Sequence, residues 1–121
     1  MTPDNFKGSL AENAPPAGVC AALRALWWAG KNDWDKAHQI VMNEDSRECA
    51  WVHAYLHRVE GDLDNAGYWY RQAHRKPATH ELAAEWNEIV AALLDVSSTQ
   101  LTREELDRMA QMIEEAKREG K

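Results

Sequence analysis

Residues 46–76, SRECAWVHAYLHRVEGDLDNAGYWYRQAHRK, decide how this chain is read. In the first half, Cys49, Val52, Leu56 and Val59 recur at helical spacing, and Trp51, Tyr55 and Arg58 form a second stripe. Ala50 and Ala54 keep the rest of that surface small. A helix that is apolar most of the way round belongs at the centre of a fold. Gly61 and Asp62 then supply a stop and a new cap. The second half turns Leu63, Ala66, Tyr70 and Ala73 inward and gathers Arg71, Arg75 and Lys76 near its end. Cations there complement the negative end of a helix dipole. The stretch is a helical hairpin.

Working outward, Thr2 is placed to cap a short helix that begins at Pro3 and buries Phe6 and Leu10. Pro15 and Pro16 end that segment. A second helix is expected over 17–29 and a third, capped by Asp33, over 34–42. Asp45 and Glu48 have capping-box spacing ahead of the helix at 47–60. Downstream, Thr79 is the expected cap of a helix over 80–95, with Leu82, Trp86, Ile89, Val90 and Leu93 as its apolar face. On the same helix Glu81, Glu85 and Glu88 read as a solvated carboxylate face. A polar linker, 96–100, leads to a last helix over 103–119 with a narrow stripe of Leu106, Met109, Ile113 and Ala116. No stretch has strand periodicity, so the fold class is all-α.

The remaining composition narrows the function. A chain of 121 residues is expected to form one domain, 1–121. The formal net charge of -6 disfavours a general nucleic-acid or anionic-membrane surface. No apolar run is long enough to span a bilayer, and MTPDNFKGSL lacks the form of a secretory signal. Cys20 and Cys49 are not spaced as a redox pair and are expected to be buried, reduced thiols, which together suggest a cytoplasmic protein. There is no phosphate-binding loop and no nucleophile elbow.

A shift of 29 residues brings Ala25 onto Ala54, Asp33 onto Asp62, Asp35 onto Asp64 and Ala37 onto Ala66. An internal repeat of helical hairpins buries its apolar faces by stacking. At this level the chain resembles the tetratricopeptide (TPR) repeat family and its Sel1-like relatives. The phrase GDLDNAGYWYRQA carries most of the likeness, with Ala54, Ala66, Tyr70 and Ala73 at the family's small and aromatic positions. Ala50, His53 and His57 stand where the family pattern has Trp, Leu and Tyr, and the period is shorter than the family's roughly 34. The resemblance implies antiparallel hairpins at 17–42, 46–76 and 79–119, stacked as a short right-handed superhelix. It also implies a groove along one face, lined by Trp51, Tyr55, Arg58 and Leu26. Aromatic rings beside an arginine are residue types that dominate protein interfaces. The expected role is therefore a non-catalytic interaction module that takes a peptide, a partner helix or a second copy as a homodimer, with no cofactor. The competing state of that groove is closure by the C-terminal helices.

The alternative function lies in the histidines. His53 and His57 are four apart on one helix, a spacing that lets two imidazoles share a metal, although both occupy inward-packing positions of the repeat. Completing such a site would require His38, His74 or His80 from another helix. The chain would then be a metal- or small-molecule-binding protein, or an enzyme, using histidines between helices. A third pattern, YWYRQAHRK at 68–76, mixes rings and cations. Its inward-turned Tyr70 and Ala73 break up any continuous nucleic-acid surface, leaving a solvated helix end.

Overall fold

The computed structural model describes residues 1–99, with side chains through Asp95. The end of the expected linker and the helix at 103–119 lie outside the described residues. Six α-helices follow in order: α1, Pro3–Gly8; α2, Ala21–Gly30; α3, Trp34–Met42; α4, Arg47–Val59; α5, Leu63–Gln72; and α6, Leu82–Thr99. A 3₁₀ turn, Ser9–Ala11, extends α1. There is no strand among the described residues, so the protein is all-α. None of these helices is long and apolar enough to cross a membrane.

Local chemistry sets the boundaries. Thr2 accepts a hydrogen bond from the Asn5 amide, with Pro3 in the first turn. Asp33 caps α3 through the Lys36 amide, and Asp62 caps α5 through the Asn65 amide. For α4 the cap is Ser46, which accepts from the Cys49 amide, rather than the expected Asp45. α2 starts four residues later than its pattern suggests because Gly18 adopts a left-handed φ of 83°, a conformation no helix continues through.

The two inter-helix turns correspond at the 29-residue offset. Asn32 and Gly61 both have left-handed backbone, with φ of 64° and 86°. The following aspartate amides reach back to Trp28 O and His57 O, each at 2.9 Å. Asparagine tolerates this conformation better than most side chains, so one turn is closed by asparagine and the other by glycine.

α4 is the hub. It packs against α2, α3, α5 and α6, while α2 also pairs with α3 and α6 with α1 and α2. Nine consecutive residues of α4, from Cys49 to His57, are buried. Trp27 and Phe6 are fully enclosed. Indole N–H groups fix the packing: Trp27 donates to Ser9 Oγ at 3.0 Å, Trp34 to Leu56 O at 2.7 Å and Trp86 to Leu26 O at 2.9 Å. Cys49 is buried, but Cys20 is exposed, contrary to expectation. It sits at the extended residue before α2, where no neighbouring helix covers it.

Candidate metal centre

Because α4 has no solvent face from Cys49 to His57, the polar side chains there have to find partners inside the fold. His53 and His57 lie one turn apart and stack, with ring centroids 4.9 Å apart. α3 brings His38 against them: its Nε2 is 3.1 Å from Nε2 of His53. One ring nitrogen from each of His38, His53 and His57 lies within 4.8 Å of the others. Indole rings hold the set in place from both sides. Trp34 stacks on His38 at 4.5 Å, and Trp69 of α5 stacks on His53 at 3.9 Å.

The electrostatics favour neutral rings. Burial, followed by the neighbouring His38 and His57, holds the His53 pKa down to about 4. His38 is lowered as well, first by burial and then by His57, against the raising effect of Glu60 and Asp35. Neutral imidazoles present the lone pairs that a metal needs. Two Nε2 atoms at 3.1 Å leave room for at most one hydrogen between them, and His53 Nδ1 is buried with no hydrogen-bond partner. The protein therefore does not satisfy the hydrogen-bonding capacity of its own histidines.

Two features match metal chemistry. A tetrahedral zinc with bonds of about 2.05 Å separates its nitrogen ligands by about 3.3 Å, close to the His38–His53 spacing. His57 also hydrogen-bonds through Nδ1 to Glu60 Oε1 at 2.6 Å. A carboxylate on the far nitrogen fixes the tautomer and orientation of a metal-binding histidine. Three imidazoles suit zinc, copper, nickel or iron rather than magnesium or calcium. His74 and His80 do not join the set; His80 pairs with Glu88 on α6 at 2.9 Å.

The low pKa of His53 has a measurable consequence in metal-free protein. The unfolded ring titrates near 6.5 and the folded one near 4, so between these values the unfolded chain binds more protons. Stability is then lost as pH falls from 6.5 towards 4. Urea unfolding in chelator at pH 7 and pH 4.5 should show this ring contributing about 2 kcal/mol to the difference, allowing for residual screening. The His53→Gln variant should lose that part of the pH dependence; an unchanged slope would refute it.

The aromatic stripe has another fate. Leu26, Trp51 and Tyr55 are 0%, 5% and 7% exposed, and the Arg58 side chain is 14% exposed. α6 lies over them, so in this structure the expected groove is covered. The covering helix inserts Glu85, which is not solvated as expected but 1% exposed. Its carboxylate accepts from Trp51 Nε1 at 3.3 Å and Tyr70 Oη at 2.5 Å, and pairs with Arg58 at 3.0 Å. Arg75 covers the Trp51 ring at 3.5 Å. Burial, then the bond to Glu85, raises the Tyr70 pKa. Glu81 and Glu88 remain exposed as expected, and Glu88 pairs with Arg75.

Sequence reasoning misjudged Glu85 and did not single out His38 from His74 and His80. Glu85 lies three residues after Leu82 and four before Ile89, on the apolar stripe, and a carboxylate in that register signals a buried partner. His38 lies four residues after Trp34, on the face that looks at α4, and the 29-residue shift places it against a glycine, Gly67.

Comparison of the chain with protein-family models, with curated proteins and with solved structures finds no match.

Proposed function

We propose that this protein binds a divalent transition metal, with zinc the simplest fit, through His38, His53 and His57. The observation that carries the reading is the convergence of three ring nitrogens from two helices. Glu60 would orient His57, and Trp34 and Trp69 would hold the outer rings. Three neutral protein ligands leave a coordination position for water or a small ligand. Cobalt(II) titration tests the reading, because a tetrahedral site develops strong visible absorption on binding. One equivalent should bind and be displaced by zinc. The His38→Ala, His53→Ala and His57→Ala variants should each lose the signal. Glu60→Gln should keep the signal but weaken affinity about 10- to 100-fold. No saturable binding, or binding that survives all three alanine variants, would sink the proposal.

A second reading, a TPR-like stack of hairpins serving as an interaction module, is favoured by the recurrence of turn and cap at a 29-residue offset. In that reading a peptide or partner helix meets Leu26, Trp51, Tyr55 and Arg58 after α6 has moved aside. Hydrogen exchange separates the two states. If α6 amides open well before those of α4, the displaced state exists; if both exchange together through global unfolding, this reading fails.

A further inference from the structure

α6 is joined to the molecule differently from the helices before it. Residues 31–33 close the α2–α3 pair and residues 60–62 the α4–α5 pair, whereas the longer stretch 73–81 leads from α5 to α6. Lys76, Pro77, Thr79 and His80 of this linker are exposed. Residues 76–80 make no backbone–backbone hydrogen bond with another described residue, and Pro77 has no amide hydrogen to give. The linker therefore does little to hold α6 in place. Nor does α6 pack chiefly on α5, the helix it follows; it crosses to α4, α1 and α2.

What holds α6 is the groove itself. Arg58, Trp51 and Tyr70 converge as donors on the Glu85 carboxylate. One residue on, Trp86 donates to Leu26 O, and Ile89 and Val90 are buried. A largely buried guanidinium without a counter-charge is costly, so Arg58 demands an acid at one fixed position of any helix lying there. The groove thus selects a helix with an acid, then an indole, then two β-branched residues a turn later. Residues 85–90, EWNEIV, meet that demand, and a second copy of the chain carries the same helix.

We infer that two copies of the chain dimerise by exchanging α6, each placing it in the groove of Leu26, Trp51, Tyr55 and Arg58 on the other. The inference rests on the reading in which α6 leaves that groove. Every contact of α6 with the body is kept and only the chain supplying it changes, which makes such exchange a low-cost route to a dimer. Extended, the linker reaches about 30 Å, enough to pass α6 to a neighbour. Monomer and dimer then differ mainly through the tether, whose effective concentration is on the order of 1 mM.

Wild type refolded from urea at about 1 mM should yield a species of twice the chain mass by light scattering, and at about 10 μM only monomer. Absence of the dimer at the higher concentration would overturn the inference. Arg58→Met and Glu85→Leu identify the exchanged element. Each leaves a buried charge unpaired in its own monomer, but refolded together they should form a heterodimer with one ion pair and one apolar pair, about 100-fold tighter than the wild-type dimer. No pairing between them, while the double variant folds, would count against the exchange decisively. A protease site inserted after Pro77 tests it with the groove intact. Cutting both linkers should bring an exchanged dimer down to the mass of one chain, whereas a dimer through another surface would survive the cut and refute the exchange. Hydrogen exchange separates the two kinds of failure. If no dimer forms although α6 amides open before those of α4, the partner is wrong and the displacement reading stands; if α6 opens only with global unfolding, both fall.

Discussion

Replacing Glu85 by alanine is expected to cost about 3–5 kcal/mol of folding stability, measured by urea denaturation. The carboxylate is 1% exposed and is the shared partner of Trp51, Arg58 and Tyr70. Its removal leaves a largely buried guanidinium without its counter-charge and two buried donors without an acceptor. Against a typical total of about 5–15 kcal/mol, that is a large share, and the near-ultraviolet signal of Trp51 and Trp86 should change as α6 loosens. Glu85→Gln should cost less, because an amide oxygen still accepts from Trp51 and Tyr70. The double variant Glu85→Leu with Arg58→Met should recover most of the loss, since a buried ion pair contributes little over a well-packed apolar pair. A loss below about 1 kcal/mol for Glu85→Ala would mean that water replaces the carboxylate.

The second large effect is stabilisation by metal. Zinc at about 100 times its dissociation constant should raise the unfolding free energy by about 2.7 kcal/mol, and the melting temperature by roughly 10 °C for a chain of this size. The gain arises because the ion ties α3 to α4 through His38 on one side and His53 and His57 on the other. It should disappear in His38→Ala and in excess chelator, and shrink as pH falls and protons compete for the rings. Differential scanning calorimetry with and without zinc reads it directly. An equal rise in His38→Ala would assign the effect to another group.

Helix positions were legible because they depend on nearest-neighbour chemistry. Capping aspartates at Asp33 and Asp62, Pro3, and the apolar spacing of α4 act within a few residues and leave their trace in the sequence. The end of the second helix pattern was readable, but its start was not, since the left-handed Gly18 has no periodicity to show it. The sites depend instead on which faces meet. His53 and His57 could be read as facing inward from α4, but only the crossing of α3 supplies His38. Trp51, Tyr55 and Arg58 read equally well as groove or core, and nothing near them in the sequence shows that α6 covers them in this structure. Glu85 was misjudged because carboxylates usually face solvent, and its partners are 15 to 34 residues away.

Nine successive buried residues in α4 also govern how this sequence can diverge. Ordinary helices accept change along an outer face; from Cys49 to His57 there is none. Ala50 and Ala54 allow their neighbours to approach closely, so enlarging either costs about 1–3 kcal/mol by overpacking. His53 and His57 are matched to α3 and α5, and Trp51 and Tyr55 to α6. Substitutions in this helix are therefore tolerated only alongside compensating changes in whichever neighbour they touch. Among descendants of this chain, α4 should be the segment that drifts most slowly, with its changes paired across helices.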